Sequence, residues 1–173
     1  TTYIDLPDTV GYKTSLTALA WFKSNGTPGD SYHIVMGDSA LEISIPTSGE
    51  LRTGVVTSAR YVSNHGSGLL DGNWHHVGVT YANGVKNSFI DGVKVGELTG
   101  IVGYLVQSIA NRRLGVYGTQ SSYYANGDIS NVKIFNRALT PEEIAVEYKR
   151  TGVSKMTQHN GTVYIQGQVK ETI

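Results

Sequence analysis

The stretch from Asp71 to Glu97, DGNWHHVGVTYANGVKNSFIDGVKVGE, leaves the chain around it few options. Trp74 to Tyr81 is rich in the aromatic and β-branched residues that favour strands. Asn83-Gly84 interrupts it, Lys86 to Ile90 is a second short run, and Asp91-Gly92 leads into Val93-Lys94-Val95. Asn-Gly and Asp-Gly tolerate the positive φ angles that primed hairpin turns require. The stretch therefore predicts a three-stranded β-meander. A meander buries one face and needs a second sheet to cover it.

The remaining segments supply strands of the right kind. Thr2 to Leu6 predicts a short strand closed by Pro7, followed by a turn over Gly11 to Thr14. Ser15 to Lys23, SLTALAWFK, is the longest candidate, with Leu16, Ala18, Ala20 and Phe22 on one face and Leu19 and Trp21 on the other. Apolar residues on both faces predict a central strand covered on both sides. Tyr32 to Met36, Ala40 to Ile45, Leu51 to Thr57 and Ala59 to Ser63 follow, punctuated by Gly37-Asp38, Ser48-Gly49 and the loops NGTPGD and NHGSG. After the meander, Gly100 to Val106, Arg113 to Tyr117 and Asp128 to Phe135 predict strands, the last with a bulge near Ser130-Asn131. Thr119 to Asn126 is a polar loop carrying two tyrosines.

One helix is predicted. Thr140-Pro141-Glu142-Glu143 has the N-cap, the first-turn proline and the acid three residues after the cap that form a capping box. Ile144, Ala145 and Tyr148 make its apolar stripe, and Gly152 is a stop. Many short strands, turns every ~8–12 residues and one small helix predict an all-β antiparallel two-sheet sandwich over residues 1–152. Residues 153–173 are set apart as a β-prone tail.

Composition excludes several function classes. Formal net charge is zero, with 14 basic and 14 acidic residues, which predicts neither nucleic acid nor an anionic membrane as partner. No run approaches 18 apolar residues, so no membrane-inserted segment is expected. Cysteine is absent, which removes disulfides, thiolate metal sites and thiol nucleophiles. The sequence opens Thr1-Thr2 without an initiator Met or a signal-like segment, which predicts processing or a longer parent polypeptide.

Four stretches resemble, in order, the laminin-G-like, concanavalin-A-like jelly rolls. Tyr3-Ile4-Asp5-Leu6-Pro7 looks like the family's opening edge strand, and Ser15 to Lys23 is similar to its F-T-v-x-a-W-v-k strand. Asp71 to Gly96 looks like its g-x-W-h-h-v-a-v-t-y … D-G meander. Gly127 to Ile144, GDISNVKIFNRALTPEEI, resembles its closing G-x-I-D-E-v-r-i-y-n-r-a-L-s-x-x-E-I segment. The resemblance implies a jelly roll over residues 3 to 148, a fold that hosts lectins, adhesion modules and some enzymes. The family's Asp-Glu after the isoleucine is here Ser130-Asn131, which tells against a calcium site of the family's kind, so no cofactor is expected.

No catalytic residues are expected. A glycoside hydrolase needs two carboxylates at a defined separation. Outside the helix only Asp5 and Asp8 lie close together, and neither an E-x-D-x-E pattern nor the Gln-x-His and Arg-rich strand of alginate-type lyases occurs. His75 and His76 are adjacent in a strand and point to opposite faces, so they cannot hold one ion; one is expected inside and one outside. His33, His65 and His159 lack zinc-site spacing, so no metal site is expected. Trp21 and Trp74 sit in strand motifs and predict packing.

Binding candidates are polar aromatics on loops, which offer flat apolar faces beside hydrogen-bonding groups, as a sugar ring requires. Tyr123, Tyr124 and Asn126, beside Ser121 and Ser122, form one group; Tyr61, Asn64 and His65 a second; Tyr32 and His33 a third. The expected function is a non-catalytic module displayed outside the cell, on a virion or on a cell surface, that binds a glycan or cell-surface polysaccharide. Two alternatives stay open. One is an ancillary carbohydrate-binding module of a secreted enzyme. The other is a virion decoration or tail domain assembled with other subunits through its last strand, because SKMTQHNGTVYIQGQVKETI is similar to the endings of phage tail and virion proteins.

Overall fold

The computed structural model describes residues 4–5, 14–38, 40–106, 112–117 and 123–150. Their strands, in chain order, are β1 (Ile4–Asp5), β2 (Ser15–Ser24), β3 (Tyr32–Gly37), β4 (Leu41–Pro46), β5 (Leu51–Val56), β6 (Arg60–His65), β7 (Trp74–Ala82), β8 (Val85–Ile90), β9 (Val93–Leu98), β10 (Arg113–Leu114) and β11 (Gly127–Phe135). They pair antiparallel in two sheets, one ordered β1-β10-β3-β4-β5-β6 and one ordered β11-β2-β7-β8-β9. The architecture is a jelly-roll β-sandwich.

The meander forms as its turns require. Asn83 and Gly84 have φ of 51° and 76°, and Asp91 and Gly92 have 50° and 80°. Two successive positive angles match the right-handed twist of the flanking strands. Val77, Val79 and Tyr81 of β7 then point between the sheets, where they meet Phe22, Val35 and Ile43. The bulge in β11 falls where Asn131 turns to φ 47°, and the register against β2 shifts between Ser130 and Lys133.

β2 is covered on both sides. Leu16, Ala18, Ala20 and Phe22 belong to the inter-sheet core, and Leu19 belongs to a smaller apolar cluster with Phe89, Leu139 and Ile144 on the sheet's other face. Helix α1 (Pro141–Arg150) lies over that outer face. Its N-terminus carries the reciprocal capping bonds, Glu143 N to Thr140 Oγ1 at 3.3 Å and Thr140 N to Glu143 Oε2 at 2.9 Å. Tyr148 near its far end stacks on Trp21 with ring centroids 5.5 Å apart. Gly78 leaves room for Leu19 in the outer-face cluster, because a Cβ there would lie 2.5 Å from Leu19 Cδ2.

Some expectations need correction. Residues 100–106 form no strand: Gly100 and Gly103 have φ of 74° and 91°, and the segment instead plugs one end of the sandwich with buried Ile101 and Leu105. β10 is two residues long because Gly115 turns to φ 80°. Trp74 is only partly buried, on the same face as Lys23, so it is not a core residue. Gly11 to Lys13, most of the opening segment and the tail 153–173 lie outside the described residues. Among the described residues no helix is long and apolar enough to cross a membrane.

Candidate functional site

α1 covers the outer face of the five-stranded sheet. The outer face of the six-stranded sheet carries a groove of about 410 Å³, lined by Tyr32, Ile34, Glu42, Arg52, Arg60, Val62, Tyr117 and Tyr123. It arises from register. β4, β5 and β6 are antiparallel neighbours, with Ser44 opposite Arg52, Glu42 opposite Gly54 and Gly54 opposite Val62. Alternate residues share a face. Leu41, Ile43, Leu51 and Val55 therefore point into the core, while Glu42, Arg52, Arg60 and Val62 meet outside. Gly54 keeps the floor open between Glu42 and Val62; a Cβ there would lie 3.3 Å from Glu42 Cβ.

Glu42 is the buried centre, its side chain 5% exposed. Its Oε1 accepts from Arg52 Nε at 3.0 Å and from Ser44 Oγ at 2.6 Å, and its Oε2 accepts from Arg60 Nη2. A carboxylate this deep persists only when paired and fully hydrogen-bonded. Each guanidinium also lies over a tyrosine ring, Arg52 at 5.1 Å from the centroid of Tyr32 and Arg60 at 5.2 Å from that of Tyr117. Arg60 Nη1 donates to Tyr117 Oη at 3.0 Å. Two cations against one anion leave the lining with a formal charge of +1.

Tyr123 completes the rim, its ring edge-on to Tyr32 at 5.8 Å. Its backbone is left-handed, φ 62°, and its N–H donates to Asp30 Oδ2 at 2.9 Å. The segment after it is tied down by Ala125 N to Gly115 O at 2.9 Å and Asn25 N to Asn126 O at 3.0 Å. His33 supplies a further tie: its Nδ1 accepts from Asn126 N at 3.0 Å while its Nε2 donates to Gly26 O at 2.8 Å. That pattern requires the neutral ring. Burial lowers the His33 pKa in spite of the Gly26 carbonyl, which acts to raise it.

The sequence candidates separate on this map. Tyr32 and Tyr123, from different predicted groups, come together in the groove. His33 is fully buried beside Phe22 and acts as a strut. Tyr61 and His65 point between the sheets: Tyr61 packs on the core, and His65 occupies the space a side chain at Gly96 would need. Asn64 points the opposite way and binds Glu50, so the second predicted group is split by strand alternation. Asn126 contributes its backbone, and Tyr124 is partly buried outside the lining. Glu42, Arg52, Arg60 and Tyr117 also line the groove and were not among the sequence candidates. Their signal is a charged residue at an outward position in each of three consecutive strands.

The adjacent histidines do face opposite ways, but both are covered. His76 lies under α1, 2% exposed, between Trp21 and Tyr148. Burial lowers its pKa to about 4. His75 sits between Asp91 Oδ2 at 2.9 Å and Asp71 Oδ1 at 3.1 Å. Burial alone would lower its pKa, yet the two carboxylates raise it above 6.5. The linkage signs are opposite. His75 stabilises the fold below pH 6.5 and loses that contribution as pH rises through its folded pKa. His76 stabilises it above pH 6.5 and loses that contribution as pH falls toward about 4. An NMR titration should find the His76 ring neutral down to about pH 4 and His75 titrating above 6.5. Coincident midpoints near 6.5 would contradict both environments. No group of three or more metal-ligating side chains occurs among the described residues.

A family model described as the concanavalin A-like lectin/glucanases superfamily matches residues 1–145. The chain belongs to this superfamily. No curated protein matches it significantly in sequence. Among solved structures, a provisionally assigned carbohydrate binding protein from Bacteroides ovatus superposes with a TM-score of 0.69 at 19% identity, covering 83% of this chain and 43% of that one. The carbohydrate-binding module CBM40 of a Ruminococcus gnavus sialidase, bound to α2,3-sialyllactose, gives 0.66 at 12%, covering 79% and 84%. Domain 4 of an extracellular arabinanase from Geobacillus stearothermophilus, in complex with arabinotriose, gives 0.60 at 20%, covering 82% and 69%. This chain thus spans under half of the Bacteroides protein. At these identities the likeness is one of fold.

In this concanavalin A-like domain the groove combines flat aromatic faces, hydrogen-bond donors and a rigid sheet floor. Its one carboxylate has both oxygens engaged by arginines.

Proposed function

We propose that this concanavalin A-like domain is a non-catalytic glycan-binding module, displayed outside the cell or on a virion or cell surface, and that the outer-face groove is its site. The observation that carries this reading is the convergence of Tyr32, Tyr117 and Tyr123 with two guanidiniums in one groove. A pyranose ring stacks its C–H face on an aromatic side chain and offers hydroxyls to nearby donors. The superposition with modules bound to sialyllactose and arabinotriose supports it. The lone carboxylate of the lining supports binding over hydrolysis, which needs a pair. One shallow site binds weakly, and repeated copies on a surface would raise the avidity.

The test is a glycan array with the intact chain, run with calcium and with chelator, followed by Tyr123→Ala and Tyr124→Ala. Binding is expected in both buffers. Tyr123→Ala should weaken it about tenfold or more with an unchanged melting temperature. Tyr124→Ala, outside the lining, should leave it unchanged. No glycan bound in either buffer would overturn the proposal.

A further inference from the structure

Within the glycan-binding reading, on which this step rests, we infer that the groove takes an acidic sugar residue, whose carboxylate binds the outward edges of Arg52 and Arg60.

Charge is the first reason. Glu42 needs one cation for neutrality and has two, so the lining keeps a net positive charge. Among the described residues, no second acid lines the groove. Asp30 caps the Tyr123 amide, and Glu50 is held by Ser48 and Asn64; neither lines the groove.

Donor count is the second. A guanidinium has five N–H groups. Among the described residues Arg52 commits one of them, to Glu42, and Arg60 commits two, to Glu42 and to Tyr117. Seven N–H groups thus remain for solvent or ligand, and the lining offers them no second carboxylate. Glu42 itself is sealed at 5% exposure, whereas Arg52 and Arg60 are 23% and 42% exposed. A ligand therefore meets cationic edges, not the acid beneath them.

Pre-organisation is the third. Each guanidinium plane is backed by a tyrosine ring and anchored from below. Planar N–H forks held in place match a planar carboxylate, and such charge-assisted bonds are stronger than neutral ones. Tyr123, edge-on to Tyr32, is left to face the uncharged part of the same sugar.

The experiment is calorimetric titration of the intact chain with matched probes: α2,3-sialyllactose against lactose, trigalacturonate against its methyl ester, and a sulfated galactose disaccharide. At least one carboxylate probe should bind about tenfold or more tighter than its neutral partner. That advantage should shrink between about 0.05 and 0.5 M salt. Arg60→Gln should abolish the advantage, the carboxylate probe losing far more affinity than its neutral partner, and Arg52→Gln should reduce it. Equal binding of acid and neutral partners, with Tyr123→Ala still disrupting it, would overturn the acidic class and leave the glycan site standing. Binding of the sulfated probe alone would overturn the carboxylate assignment. Failure of every probe, alongside an empty glycan array, would remove both readings. The wild-type comparison needs no variant, so it stands even if Arg60→Gln misfolds.

Discussion

Arg112→Met should lower the unfolding free energy by about 3–5 kcal/mol, the cost of stranding a charge in a protein interior. Arg112 and Asp38 form an ion pair at 2.9 Å with side chains only 2% and 1% exposed. The pair joins two distant parts of the chain. Asp38 Oδ1 caps the turn into β4 by accepting from Ala40 N and Leu41 N, both at 2.7 Å, while its Oδ2 holds Arg112 just before β10. Removing the guanidinium leaves the carboxylate buried with two amide donors and without its ion-pair partner. Urea denaturation at pH 7 reads the effect. Arg137→Met, which breaks an exposed pair with Glu143, is the control and should change little. A loss of under about 1 kcal/mol for Arg112→Met would show that the pair is not desolvated.

Lys86→Met should do the reverse. Lys86 points between the sheets and is 0% exposed, yet among the described residues its ammonium has only the Thr53 carbonyl, at 2.6 Å, as a hydrogen-bond acceptor. No carboxylate among the described residues pairs with it. Burial, helped by the nearby Arg52 charge, lowers its pKa from 10.5 to about 8. The unfolded chain therefore binds more protons than the folded one between those values, and stability from this group rises with pH across the window. A difference of that size is worth about 3 kcal/mol. Methionine keeps the apolar stem and removes the charge, at the cost of about 1 kcal/mol for the lost hydrogen bond. Near pH 7 the variant should be about 2 kcal/mol more stable, and the gap should close or reverse by pH 10.5. A variant that is less stable at pH 7, with a difference independent of pH, would show that Lys86 carries no penalty.

The two cations also show what burial alone does not reveal. Both are deeply buried, yet among the described residues one is paired, by Asp38, and the other meets only a carbonyl. Arg112 stands 74 positions from its partner, so no local pattern announces the pairing. Lys86 occurs in a run, VKNSFI, that reads equally well with the lysine in or out until the pairing of Tyr81 with Lys86 sets its face.

Local chemistry made much of the fold legible. Asn83-Gly84 and Asp91-Gly92 demanded positive φ and took it. Thr140 and Glu143 formed their capping box, the bulge fell at Asn131, and the two-faced pattern of β2 announced cover on both sides. Each signal lies within a few residues, so backbone sterics and alternation suffice to express it. Gly100 to Val106 misled because its apolar residues suggest a strand while its glycines take left-handed turns.

The groove was legible only in fragments. Tyr32 and Tyr123 stood out as polar aromatics, but they are 91 positions apart in the chain (123 minus 32) and meet only after β3 and the loop before β11 are brought together. Glu42, Arg52 and Arg60 read singly as ordinary strand charges. By itself the sequence determined most of the strands, their turns and the helix cap, because these follow from short-range dihedral and burial preferences; the superfamily followed from motif resemblance. Tertiary structure alone decided which charges share a face. Antiparallel register, a one-residue choice, sets Glu42 beneath two guanidiniums and sends Tyr61 and His65 into the interior.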